Sequence, residues 1–107
     1  MEAPKTKSLI QEAIETELEN ARNQWGPQYN SEHEAYAVLK EEVEEAADDL
    51  TIISEDLGFL WNAVKGNSDK PYNAALKHIQ QTALALAIEA VQIAAVAKKA
   101  ELKYGDI

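Results

Sequence analysis

The sequence contains no cysteine, and glycine, proline and aromatic residues are scarce. The absence of cysteine excludes disulfide bonds and thiolate metal sites, and nothing indicates an oxidising compartment. Few glycines and prolines leave long stretches without a helix breaker. Basic residues are also outnumbered, with 10 Lys and Arg against 19 Asp and Glu, which gives a net charge of −9. This balance argues against a nucleic-acid partner, because binding to that backbone depends on cationic side chains, and it is compatible with cation binding.

We expect neither an export signal nor a membrane span. The first five residues are polar and have no apolar signal core, and no apolar run approaches the ~20 residues of a membrane span. We therefore expect a cytoplasmic protein with no membrane partner. The 107 residues allow one domain, residues 1–107, and alanine supplies many of the apolar side chains. Such a chain makes thin helix–helix contacts, which favours oligomerisation.

Apolar residues recur with helical periodicity between the few turn signals. They predict an all-α fold with three main helices, at about residues 5–24, 31–65 and 71–104. Ser31 and Glu34 have the spacing of a capping box at the start of the second helix, and Pro71 suits the first turn of the third. Gly58 lies inside the second helix, where it costs about 1 kcal/mol relative to Ala and could introduce a kink.

Two of the predicted helices exceed 30 residues, or roughly 50 Å each. The apolar stripe of the second helix is predicted to be Leu39, Val43, Ala46, Leu50, Ile53, Leu57, Leu60 and Val64. The stripe of the third helix is predicted to be Ala75, Ile79, Thr82, Leu86, Glu89, Ile93, Val96 and Ala100. A single chain would leave such stripes partly uncovered, so we expect a helix bundle completed by a homo-oligomer, either a dimer or a tetramer.

Carboxylates in the second helix lie at the edge of its apolar stripe. Glu42, Glu45 and Asp49 share one helix face. Several carboxylates there repel one another unless a cation lies among them, and Mg²⁺ prefers oxygen ligands. The alternative is a solvated acidic face with pairs such as Lys40 and Glu44.

Glu89 falls within the apolar stripe of the third helix, where an isolated carboxylate is costly without a cation or a strong hydrogen-bond partner. Gln92 lies on the same face and offers an amide oxygen. If the second and third helices pack antiparallel, Glu42 and Glu45 lie at a depth similar to that of Glu89 and Gln92. The alternative is that Glu89 pairs with a Lys or Tyr of a neighbouring subunit.

These motifs resemble the signature of the MazG-like family of all-α nucleotide pyrophosphohydrolases, in which EExxE is followed by ExxD. Here the strings are Glu41-Glu42-x-x-Glu45 and Glu89-x-x-Gln92, and residues 33–39 read HEAYAVL. The resemblance covers about residues 24–100. It implies that Glu42 and Glu45 are the principal metal ligands, that Glu41 is a candidate third ligand, and that Glu89 completes the set. Gln92 stands where the family has an acid.

The resemblance further implies Mg²⁺-dependent, or Mn²⁺-dependent, cleavage of an NTP or dNTP to NMP and pyrophosphate, with a carboxylate among Glu41, Glu42 and Glu45 as general base. This activity serves nucleotide-pool housekeeping in bacteria and their phages. Two alternatives stay open from the residues. One is a nucleotide- or metal-binding protein with weak catalysis, and the other is a purely structural helical oligomer. Base and sugar preference are not predicted.

Other residues are candidates for substrate contacts. Lys98, Lys99 and Lys103 follow Glu89 and could meet phosphate oxygens, or they could only complement the helix dipole. A nucleobase could stack and hydrogen-bond at the entry to the second helix, where the candidates are Trp25, Tyr29, Asn30 and His33. The alternative is that Trp25 packs the first helix and His33 lies on the surface. Trp61 and His78 are predicted to be packing residues.

Overall fold

The computed structural model describes residues 3–101, with side chains described from Lys5 onward. It contains α1 (Ala3–Trp25), α2 (Glu32–Lys65) and α3 (Asp69–Ala100), and there is no strand in this part of the chain. The prediction of an all-α chain with three main helices is confirmed. Both α1 and α3 begin two residues earlier than predicted. The third helix was predicted to continue to residue 104, but it ends at Ala100 and Glu101 is not helical. Residues 102–104 lie outside the described residues.

Local capping explains where α2 begins. Ser31 Oγ accepts a hydrogen bond from the backbone N–H of Glu34 at 3.1 Å, as the capping box predicts. The Glu34 carboxylate returns to the backbone N–H of Asn30 at 2.8 Å, one residue before the position that the motif usually uses. Just upstream, Gly26 ends α1 with a φ of 96°, which an L side chain rarely adopts.

A tight turn joins α2 to α3. Asn67 has a φ of 51°, and the backbone N–H of Ser68 donates to the carbonyl of Ala63 at 3.0 Å. The N–H of Asn67 donates to the carbonyl of Val64 at 3.2 Å, which completes a Schellman motif with asparagine in the left-handed position. Pro71 lies in the first turn of α3, where its missing N–H removes no intrahelical hydrogen bond.

The chain divides into two compact units along these helices. The first contains the described residues up to Val43 and from Ala90 onward, and the second is Glu44–Glu89. Buried apolar side chains are Leu18, Ala35 and Ala95 in the first unit, and Ala63 and Ala75 in the second. Most of them are alanines, as expected for thin helix–helix contacts.

The two long helices differ in how well the sequence predicts their buried face. Every member of the predicted α3 stripe, including Glu89, is buried or half-buried. For α2, only half of the residues predicted to form the buried stripe face inward. Leu39, Ala46, Ile53 and Leu60 are half-buried, whereas Val43, Leu50, Leu57 and Val64 are exposed.

A second row of α2 residues takes the place of the exposed half. Its members, one every two turns, are buried or half-buried: Ala35, Glu42, Asp49, Asp56 and Ala63. The inward face of α2 is therefore rotated toward its carboxylates, because in a single chain α2 is covered on one side only.

By length and composition alone, α3 could cross a membrane, since an 18-residue window has a mean hydropathy of 1.4. Only 6% of that window is buried in the single chain. This is weak evidence, because core helices of soluble proteins have the same composition. The cytoplasmic location therefore stays a prediction.

Candidate metal centre and adjoining pockets

Two carboxylates of the second unit, Glu45 from α2 and Glu89 from α3, form what we call the acidic group. A carboxylate oxygen of Glu45 lies within 4.8 Å of one of Glu89. Glu42 lies one helical turn before Glu45 in the sequence of α2 and belongs to the first unit. Glu45 is exposed, whereas Glu89 and Glu42 are half-buried.

One carboxylate oxygen of Glu89, Oε2, is buried without a hydrogen-bond donor in the described residues. A shielded carboxylate oxygen without a donor costs free energy, and a bound cation would remove that cost. All donors of the group are carboxylate oxygens, which suit a hard ion such as Mg²⁺ or Mn²⁺ better than a thiophilic one. The residues present therefore fit the expected metal.

Residues equally far along the chain from Asn67 face each other across the α2–α3 hairpin. In the second unit, His78 Nδ1 and Asp56 Oδ2 are 2.5 Å apart, and Glu45 and Glu89 are likewise equally distant from Asn67 in the sequence. Glu42 and Gln92 are also equally distant from Asn67; they belong to the first unit and line the same pocket. Antiparallel packing thus gives the similar depth that the sequence suggested for the two pairs.

The first unit holds a small pocket of about 100 Å³. Polar side chains from all three helices reach it, with Glu17 from α1, Glu42 from α2, and Gln92 and Lys99 from α3. Tyr29 and three small apolar residues complete its wall. The small pocket therefore combines two carboxylates, one amide and one ammonium.

Lys99 is the best-buried charge in this unit, with only 4% of its surface exposed. Its ammonium lies 4.3 Å from the centre of the Tyr29 ring, a cation–π distance. The ion pairs between described side chains do not include Lys99. Burial, with the negative charges of Glu34 and Glu42, raises the pKa of the Tyr29 phenol above its ordinary value of 10.0, so the ring stays neutral at physiological pH.

A larger pocket of about 390 Å³ adjoins the small pocket. The two share Tyr29 and Lys99 as walls. Trp25 and Asn30 also line the larger pocket, together with Glu34. Trp25 is 72% exposed, so it does not pack α1 against the rest of the unit, and its indole face is open to a ligand.

Several sequence candidates lie away from these pockets. His33 and Glu41 are exposed, and neither lines the two pockets nor belongs to the acidic group. Lys98 donates to Glu15 Oε2 at 2.8 Å, and this hydrogen bond and charge hold the pKa of Glu15 below its usual value. Lys103 lies outside the described residues.

Trp61 and His78 were predicted to be packing residues, but both are exposed in the single chain. Trp61 is exposed, with the Lys65 ammonium 5.6 Å from its ring centre. The His78 side chain is 55% exposed and meets the buried Asp56. Both expectations assumed that the residue faces inward, whereas the rotation of α2 turns Trp61 outward.

Sequence reasoning overlooked Glu17 and gave Glu34 only a capping role. A signal for Glu17 was present, because it lies three residues after Ile14 and four before Ala21, so it shares a helix face with two apolar residues. The same reasoning that singled out Glu89 applies to a carboxylate in that position.

Comparisons with known proteins add no constraint to this picture. No protein family, curated protein or solved structure matches the chain. Function is therefore argued from the residues and their geometry.

Proposed function

We propose that the chain is a Mg²⁺-dependent nucleoside triphosphate pyrophosphohydrolase of the MazG-like type, which converts an NTP or dNTP to NMP and pyrophosphate. One observation carries the proposal: Glu42, Gln92 and the buried Lys99 line one small pocket of the first unit. Oxygen ligands for a cation and an ammonium for an anion thus lie in the same pocket. A triphosphate with a bound cation presents a positive charge to the carboxylates and negative phosphate oxygens to the ammonium.

Glu42, Glu45 and Glu89 would hold the ion, as the resemblance implies, and Gln92 offers an amide oxygen from α3. Mg²⁺, or Mn²⁺, bound there would neutralise and orient the triphosphate and lower the pKa of the attacking water. Lys99 would donate to phosphate oxygens, which a buried ammonium does without competition from bulk water. Lys98 pairs with Glu15 on the surface, so we assign the phosphate contact to Lys99.

The reaction breaks one phosphoanhydride bond. A water oxygen attacks the α-phosphorus, the bond to the bridging oxygen breaks, and pyrophosphate leaves with that oxygen. Glu45 would accept the proton of the water, because it is the solvent-exposed member of the acidic group. Glu41, the other candidate base, lies outside the group.

The larger pocket would take the base and sugar. Trp25 and Tyr29 present aromatic surface for stacking, and Asn30 and Glu34 present polar atoms to a base edge. Its volume of about 390 Å³ lies within the usual range for small-molecule sites. A role in nucleotide-pool housekeeping in the cytoplasm follows from the same proposal.

The experiment is a pyrophosphate-release assay over a panel of NTPs and dNTPs with Mg²⁺ or Mn²⁺. We expect Glu42→Gln to lower turnover at least about tenfold, since even outer-shell partners of a metal contribute that much. Glu41→Gln removes the same charge one residue away and should leave turnover within about twofold. Equal activity in wild type and Glu42→Gln would refute the proposed site.

A second candidate function is nucleotide or metal binding with little turnover. Gln92 favours it, because a neutral amide binds Mg²⁺ more weakly than the acid of the family motif. Mg²⁺-dependent nucleotide binding without pyrophosphate release, in a folded protein, would identify this candidate.

We further propose that the protein is a homo-oligomer, a dimer or a tetramer. Leu50, Leu57 and Val64 recur every seven residues on α2 and are exposed in the single chain, a spacing typical of a helix–helix seam. A second copy would cover this row. A sedimentation mass near the 11.8 kDa of one chain would contradict the proposal.

A further inference from the structure

The polar wall of the larger pocket has a hydrogen-bonding pattern that discriminates among nucleobases. It contains the Glu34 carboxylate and the Asn30 amide, and Trp25 and Tyr29 add aromatic surface. Resting on the nucleotide substrate proposed above, we propose that the larger pocket selects guanine and that Glu34 determines this selectivity. The carboxylate would accept hydrogen bonds from the ring N1–H and the 2-amino group of the base.

Glu34 keeps acceptor capacity beyond its capping role. Its Oε1 accepts the backbone N–H of Asn30 at 2.8 Å, and its Oε2 accepts a side-chain N–H of Asn30 at a longer 3.4 Å. Each carboxylate oxygen has two lone pairs, so each retains one for a ligand. The cap therefore holds the carboxylate in place and leaves two adjacent acceptors on it.

The same contact determines how the Asn30 amide is oriented. A carboxylate accepts hydrogen bonds and donates none, so Asn30 directs its Nδ2 toward Glu34 and keeps its Oδ1 as an acceptor. Both residues line the larger pocket. Together they offer three acceptor oxygens to a base.

The common bases differ at the edge that would meet these oxygens. Guanine presents two adjacent donors, the ring N1–H and the 2-amino group. Adenine and cytosine each present an amine beside an unprotonated ring nitrogen, whose lone pair a carboxylate repels. Uracil and thymine present one ring N–H between two carbonyl oxygens, which are repelled in the same way. Guanine therefore matches both oxygens of Glu34, and a bidentate pair with a charged acceptor is a strong one.

The remaining walls accept any base and do not decide the preference. Stacking is tolerant because every base has a π face, and Trp25 offers an exposed ring for it. Gln28 also lines the pocket, and its amide offers a donor to the guanine O6. The preference for guanine thus depends on the acceptors of Glu34 and Asn30.

The test measures binding, so it does not depend on turnover. Analogues of GTP, ITP and ATP, in which a methylene group replaces the oxygen between the α- and β-phosphates, are titrated with Mg²⁺ into the full chain by calorimetry. We expect the GTP analogue to bind about tenfold more tightly than the ATP analogue, or better, since a bidentate pair discriminates by that order. The ITP analogue lacks the 2-amino group and should fall between the two.

Glu34→Gln is the decisive variant. Glutamine serves at the same position of a capping box, so α2 keeps its cap. Its amide presents one acceptor and one donor, the pattern that pairs with adenine, so the ratio of GTP to ATP affinity should fall about tenfold or more. A merely structural role of Glu34 would lower both affinities alike.

Glu32→Gln is the matched control. Glu32 carries the same charge in the same first turn of α2, is exposed, and does not line the larger pocket. This variant should change the ratio of the two affinities by less than about twofold, because an exposed charge away from the base is screened.

The outcomes separate this inference from the proposed function. Equal affinities for the three analogues, or a ratio that is unchanged in Glu34→Gln, would overturn the role of Glu34 and leave the proposed function standing. A wild-type chain that binds none of the analogues would overturn both. The wild-type comparison needs no variant, so it decides the matter even if Glu34→Gln does not fold.

Discussion

The ammonium of Lys99 lies 4.3 Å from the centre of the Tyr29 ring, on a side chain that is only 4% exposed. Its neighbour Lys98 points about 100° away around the helix and pairs with Glu15 on the surface. Two adjacent lysines of one helix therefore have different surroundings, and they form a natural pair of test and control.

Lys99→Met should weaken nucleotide binding about tenfold or more, because it keeps the aliphatic stem and removes a charged donor worth roughly 1.5–3 kcal/mol. Lys98→Met should change the affinity by less than about twofold, since an exposed ion pair contributes little. Calorimetry with Mg²⁺ and a non-hydrolysable triphosphate measures both. Similar losses in the two variants would contradict the assignment of Lys99 to the pocket.

Tyr29 should ionise above pH 10.0 in an alkaline spectrophotometric titration, because its burial raises the phenol pKa and the charges of Glu34 and Glu42 add to this. A raised pKa in the folded state means that the stability it contributes is present below pH 10.0 and is lost as the pH rises through the folded value. The Tyr29→Phe variant, which lacks this phenol, identifies the part of the titration curve that belongs to Tyr29.

The same titration tests the position of Glu42 beside Tyr29. Because the charge of Glu42 helps to raise the Tyr29 pKa, Glu42→Gln should lower that pKa toward its ordinary value. Glu34→Gln should lower it more than Glu42→Gln does. An unchanged Tyr29 pKa in Glu42→Gln would contradict the position of Glu42 near this ring.

Glu89→Gln should raise or preserve thermal stability without metal, and it should abolish stabilisation by Mn²⁺. The amide removes a shielded negative charge that accepts no hydrogen bond from the described residues, so the free energy of unfolding of the metal-free protein does not fall. Thermal unfolding with and without Mn²⁺ tests this, with the exposed Glu41→Gln as control. If Glu89→Gln keeps the full response to Mn²⁺, Glu89 is not a ligand.

Two glycine substitutions should change the free energy of unfolding in opposite directions. Gly58→Ala should raise the free energy of unfolding by about 1 kcal/mol, because Gly58 lies inside α2 and its added methyl group meets nothing within 4 Å. Gly26→Ala should lower it by about 1 kcal/mol, because Gly26 has a φ of 96°. Urea denaturation at equal protein concentration measures both changes. A loss of stability in Gly58→Ala would show that α2 is covered at this position in the assembled protein.

The sequence by itself determined the features that depend on neighbours along the chain. Helical periodicity and capping chemistry predicted three helices, the Ser31–Glu34 hydrogen bond and the inward position of Glu89, since each depends on residues within a few turns. In α3 the predicted apolar stripe and the buried face coincide. The central run from Ala83 to Ala97 has no charged residue except Glu89, so no other charge in this run has to be kept away from the buried face.

Only the tertiary structure decided which side of α2 faces inward, and whether α1 contributes to the site. Eight apolar residues of α2 cover a face wider than one neighbouring helix can bury, so the position of α3 selects Leu39 and Ile53 and leaves Leu50 and Leu57 exposed. The pocket shared by Glu17 and Gln92, and the contact of Lys99 with Tyr29, bring together residues far apart in the chain. Periodicity within one helix carries no information on such contacts, because they depend on how separate helices pack.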